Sequence, residues 1–122
     1  MSKLTIGDLS IDCTDPLRAQ NFYANLMNWE KLTAFGCPAV KTEIGMLILF
    51  TTPEVHYVSP VWPEEVGKQQ KQMHFNFQVD DLQSTVTEAL ALGATKAKEQ
   101  FGGDQFVTLI DPAGHPFCLC RK

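Results

Sequence analysis

"MHFNFQVDDLQSTVTEALALG", residues 73–93, carries two hydrophobic periods in succession. In its opening part, Phe75, Phe77 and Val79 alternate with His74, Asn76 and Gln78. That period of two predicts a strand over 73–79 with one apolar and one polar face. After Asp80 and Asp81 the apolar residues shift to Leu82, Val86, Ala89 and Leu90, one stripe of a helix. Asp80 or Asp81 supplies the cap and Gly93 the stop. Short strands are expected near 94–98, 105–110 and 116–120. "DPAG" at 111–114 fits a type I turn, with Asp111 first, Pro112 second and Gly114 fourth.

The first half repeats this order. "LTIGDLSID" (4–12) reads as a strand in which Leu9 and Ile11 alternate with Asp8, Ser10 and Asp12. Asp15 caps a helix and Pro16 suits its first position. Leu17, Ala19, Phe22, Tyr23 and Leu26 form its apolar stripe, and Asn28 suits a left-handed stop. Strands follow at about 29–34, 38–43 and 46–52. From Asp15 to Asn28 is 13 residues, and from Asp80 to Gly93 is also 13. Phe35-Gly36 answers Phe101-Gly102, and Gly45 precedes a last strand as Gly114 does. The fold class is therefore α+β, with two βαβββ modules in one domain over 1–122. Module one covers about 1–52, a connector about 53–72, and module two about 73–122. One helix per module covers one sheet face, leaving the other to cup a cleft or pack on a partner.

The bulk composition narrows the function classes. The chain has 122 residues, a net charge of −4 and no basic run beyond Arg121-Lys122. Nucleic-acid binding calls for a basic stripe and is not expected. No apolar run reaches the roughly 18 residues of a membrane span, and "MSKLTIGD" lacks an apolar export signal. The expected compartment is the cytoplasm, with the four cysteines as thiols. Glycine-rich phosphate loops, C-x-x-C and G-x-S-x-G are absent.

The connector is unusual for a linker. Pro53, Pro60 and Pro63 break regular structure, yet His56, Tyr57, Val61 and Trp62 are poorly suited to water. A loop folded over something fits better than a free spacer. Trp62, just before a cleft strand, is the candidate lid residue; a hydrophobic plug is the other reading.

Two βαβββ modules in a chain of this length resemble the vicinal-oxygen-chelate superfamily, which holds glyoxalase I, extradiol dioxygenases, fosfomycin-resistance thiol transferases and bleomycin-binding proteins. The resemblance rests on "CTDPLRAQNFYANLMNWE", "MHFNFQVDDLQSTVTEALALGATKA" and "DPAGHPFCLC". Metal-using members take four ligands from the first and last strands of each module. The resemblance puts Asp8, Leu49, His74 and Cys118 at those places. Leu49 cannot ligate, so the expectation is a protein with no metal and no cofactor. A three-ligand site at Asp8, His74 and Cys118 is the alternative.

Strand alternation then predicts a cleft lined by Asp8, Ser10, Leu49, His74, Asn76 and Cys118 with Trp62 above it. Asp12, Gln78, Cys120, Leu47 and Thr51 share the same faces. Such a lining, part polar and part apolar, suits a small organic ligand. Phe35 and Phe106 are further candidates, and His115 reads as a turn residue. The resemblance makes the first reading a metal-independent binder of a small, partly aromatic or polar molecule. The second is an enzyme of the same fold (a lyase, isomerase or hydrolase) using His74 with Asp8, since a carboxylate orients an imidazole for proton transfer. The third is a cup that serves dimerisation. A homodimer is expected. In "DPAGHPFCLC", His115 and Cys118 point to opposite strand faces and cannot share a ligand, while Cys118 and Cys120 share one.

Overall fold

Asp15 begins the first helix through its side chain, whose Oδ1 accepts a hydrogen bond from the Arg18 N–H at 3.2 Å. In the computed structural model, which describes residues 3–122, that helix is α1 (Pro16–Met27). Asn28 ends it in the left-handed region, φ 57°. The second helix, α2 (Leu82–Ala91), is capped by Asp81, whose Oδ1 accepts from the Ser84 N–H at 3.1 Å. Gly93, at φ 116°, carries the chain away.

The chain divides into two compact units, the first ending at Tyr57 and the second beginning at Val58. The first holds β1 (Asp8–Asp12), α1, β2 (Glu30–Ala34), β3 (Cys37–Lys41) and β4 (Leu47–Thr51). Its sheet order is β1-β4-β3-β2. The second unit holds β5 (Phe75–Val79), α2, β6 (Thr95–Lys96), β7 (Phe106–Ile110) and β8 (Pro116–Arg121), in the order β5-β8-β7-β6. Each unit thus pairs its first and last strands in parallel and the rest antiparallel. A parallel pair needs a long crossover, which each helix supplies. Among the described residues, no helix is long and apolar enough to cross a membrane.

Under α1, Tyr23 stacks on Phe50 of β4, centroids 5.8 Å apart, with Ile48 and Val40 fully buried beside them. The buried Gln20 amide donates to the Leu32 and Ala39 carbonyls at 3.0 and 2.9 Å, so its burial is compensated. In the second unit Leu109, Phe117 and Leu119 are fully buried, and Phe77 packs edge-on against Phe117. The β7–β8 turn closes with the Gly114 N–H donating to the Asp111 carbonyl at 2.9 Å. The buried Asp111 carboxylate accepts from the Ala113 and His115 N–H groups at 2.8 and 3.0 Å.

Three expectations need correction. The first strand starts at Asp8, not near Leu4, and Leu4 and Ile6 are exposed. Asp8 pairs with Leu47, the first residue of β4, so among the described residues the β1–β4 ladder does not extend before Asp8. The second correction concerns the helix stripes: Leu17 and Leu90 belong to them by spacing, yet both stand in water, because each lies at the margin of its buried face. The strand over 73–79 likewise begins two residues late, at Phe75.

Candidate functional site

The face of the second sheet turned away from α2 is set by register. Asn76 pairs with Cys118, and Cys118 with Thr108; Gln78 pairs with Cys120, and Cys120 with Phe106. Phe117 and Leu119, on the other face, fill the core. This second face borders a cavity of about 250 Å³. Its floor is Asn76, Cys118, Thr108, Cys120 and Phe106, with Pro116 and His74 at one end. Its remaining walls come from outside the sheet, from Trp62, Lys71 and Phe101.

Local bonding explains why those three side chains meet. The Val61 N–H donates to the Gln69 carbonyl at 2.9 Å, closing the segment between them into a loop. Lys71 crosses back over that loop. Its Nζ lies 3.0 Å from Glu64 Oε1 and 4.4 Å from the centre of the Trp62 ring. A cation over an indole face contributes about 0.5–2 kcal/mol, according to how dry the site is. Trp62 in turn meets Phe101 edge-on, centroids 6.1 Å apart.

Phe101 is held by its neighbours on both sides. Gln100 acts as a short substitute strand: its Nε2 donates to the Ala97 and Thr108 carbonyls, and its Oε1 accepts from the Thr108 N–H, all within 2.9 Å. At Gly102 an added Cβ would collide with the Phe106 carbonyl oxygen and sit 2.6 Å from the Phe106 ring. Only glycine permits that approach. At the turn, a Cβ on Gly114 would meet the Ser59 Cβ at 2.6 Å, so the start of the loop segment rests on the β7–β8 turn.

The polar groups are few. Thr108 Oγ1 and Cys118 Sγ lie 3.4 Å apart and are buried. Burial, with a smaller contribution from the neighbouring Cys118, pushes the Cys120 thiol above its ordinary pKa. Cys120 therefore stays protonated and is a poor nucleophile at neutral pH. The Trp62 indole N–H is closed off from solvent and has no acceptor among the described residues.

Trp62, His74, Asn76 and Cys118 thus border one cavity of the second unit. Asp8 and Ser10 lie exposed on β1 of the first unit, and Leu49 is buried on β4, paired with Ser10. Phe106 lines the cavity, whereas Phe35 is exposed in the β2–β3 turn, at φ 52°. Lys71 and Phe101 were not expected at the site from sequence. Lys71 sits in a polar run, and nothing local marks it as facing Trp62. Of the four positions the resemblance assigns to metal ligands, Leu49 presents hydrocarbon, and among the described residues no group of three or more His, Cys, Asp or Glu is placed to hold a metal.

Comparison with known proteins agrees with this architecture. A family described as "Glyoxalase-like domain" matches residues 8–120. Among solved structures, a glyoxalase/bleomycin resistance protein/dioxygenase family enzyme from Burkholderia phytofirmans PsJN is similar, with a TM-score of 0.72 and 17% identity over 97% of this chain and 98% of its own. The fosfomycin resistance protein FosX of Listeria monocytogenes gives 0.64 and 18%, over 100% and 92%. TnmS3, an antibiotic binding protein from Streptomyces sp. CB03234, gives 0.61 and 14%, over 99% and 98%. At these identities the likeness is one of fold. A search of curated proteins finds no match.

Proposed function

Because the chain belongs to the glyoxalase-like domain family, within the vicinal-oxygen-chelate superfamily, we propose that it binds a small, partly aromatic organic molecule, without a metal, in the cavity of its second unit. The observation that carries this reading is the cavity wall itself. Trp62, Phe101 and Phe106 present aromatic surface around a space whose polar groups are confined to a few positions, among them His74, Asn76 and Lys71. That combination of apolar walls and sparse orienting groups is the usual make-up of a ligand site. The volume lies just under the range of roughly 300–1,000 Å³ for drug-sized ligands, so the fitting molecule has one or two rings. An antibiotic-binding protein of the same fold lends support. The loss of a donor at Leu49 supports independence from metal.

The test is a titration with one- and two-ring aromatic compounds, read by tryptophan fluorescence in a Trp29→Phe background. The chain has two tryptophans, Trp29 and Trp62, so in that background the signal comes from Trp62 alone. Saturable quenching with a matching rise in melting temperature is the expected result. A panel in which no compound does either would remove the proposal. This reading also puts the protein in a reducing cytoplasm, with Cys118 and Cys120 as thiols, and pairs it with a second copy. Light scattering at micromolar concentration is expected to give the mass of a dimer.

A further inference from the structure

We propose that the ligand's ring system carries an anionic group, a carboxylate or phenolate, bound at Lys71 on the Trp62 side of the cavity. This rests on the binding reading above and narrows it to a chemical class. The cavity lining contains no aspartate or glutamate, and Lys71 is its fixed cation. A positively charged ligand would therefore sit beside a like charge whose carboxylate partner, Glu64, lies outside the lining. An anion meets the opposite situation.

Lys71 is well placed for this. Its side chain is only 17% exposed, so its stem is already ordered and little freedom is lost on binding. The ammonium has three hydrogens to donate. Glu64 takes up one direction at 3.0 Å, and the Trp62 ring backs another. Glu64 does not line the cavity and is 46% exposed, so water screens its charge more than that of the lysine it faces. A cavity-side anion therefore shares the ammonium with Glu64, using the donor direction that Glu64 and the Trp62 ring leave open.

The other polar groups point to the same class. The Trp62 N–H is a donor only, is buried, and lacks an acceptor. It is closed off from solvent, so it meets a ligand oxygen only once the indole or a neighbour shifts on binding. Asn76 adds an amide to the floor and His74 an imidazole at the end. Neither supplies a negative charge. An aromatic ring lying against Trp62, Phe101 and Phe106 with its acid group toward Lys71 uses the aromatic wall and the cation of the lining.

Calorimetric titration with three matched probes tests this: naphthoate, naphthylmethanol and naphthylmethylamine. They share a ring system and differ in charge. Naphthoate is expected to bind about tenfold or more tighter than the neutral alcohol, the amount one charge-assisted hydrogen bond supplies. The amine is expected to bind weakest. In Lys71→Met, naphthoate's advantage over the alcohol should fall to about threefold or less. Equal affinities for acid and alcohol, or tightest binding of the amine, would overturn the anion preference while leaving the aromatic site standing. An acid preference that survives unchanged in Lys71→Met would overturn the role of Lys71. Failure of all three probes to bind would remove both this inference and the binding proposal beneath it.

Discussion

Trp62→Ala is expected to weaken binding of any aromatic ligand of this protein by about 2 kcal/mol or more, roughly a thirtyfold loss. Trp62 provides a cavity wall, the ring that holds Lys71 at 4.4 Å, and an edge-on partner for Phe101 at 6.1 Å. Truncation removes the wall and releases both neighbours together. Trp62 lies outside the strands and helices and is only half-buried. The sheet should therefore remain intact, and the melting temperature should move by only a few degrees. Calorimetry on the variant, with circular dichroism as the check on folding, reads both quantities. Affinity retained within twofold would show that the ligand does not touch the indole.

Phe117→Ala acts through the opposite face of the same sheet and is expected to cost about 3–5 kcal/mol of stability. Phe117, the second residue of β8, is fully buried and paired with Phe75 on one side and Leu109 on the other. Its ring meets Phe77 edge-on at 6.1 Å. Removing it leaves a cavity that α2 cannot fill, because the strand register fixes the backbone on both sides. Domains of this kind are stable by only about 5–15 kcal/mol in total, so the variant should lose much of its margin in urea unfolding. A loss below about 1 kcal/mol would contradict this packing. The pair of variants separates the two faces: one side chain carries recognition, the other carries the fold.

The contrast between these residues also explains what was legible in advance. Phe117 and Trp62 are both large and aromatic, but only Phe117 sits in a periodic pattern. The alternation around Phe75, Phe77 and Phe117 reveals the core face, and so places Asn76, Cys118 and Cys120 on the other. The same logic runs too far at Leu4 and Ile6, whose alternation continues after the partner strand has ended. Lys71 shows the converse. It lies in a run of polar residues with no period, and its place over Trp62 follows from a loop closed by a backbone hydrogen bond between Val61 and Gln69. Phe101 depends on Gln100 and Gly102, two residues whose roles are invisible until Thr108 and Phe106 lie beside them.

Local rules therefore account for the repeat. Aspartate caps, left-handed stops at Asn28 and Gly93, the 111–114 turn and the two hydrophobic periods all act within a few residues of chain, and all can be read from residue order. They determined two βαβββ modules and which side of each strand faces its helix. The cavity was decided by tertiary structure alone. Its walls join residues from the loop before β5, the segment before β7 and three strands, brought together by contacts whose partners lie far apart in sequence. Periodicity records a side chain's direction from its own backbone, and carries no information about which distant side chain will stand opposite.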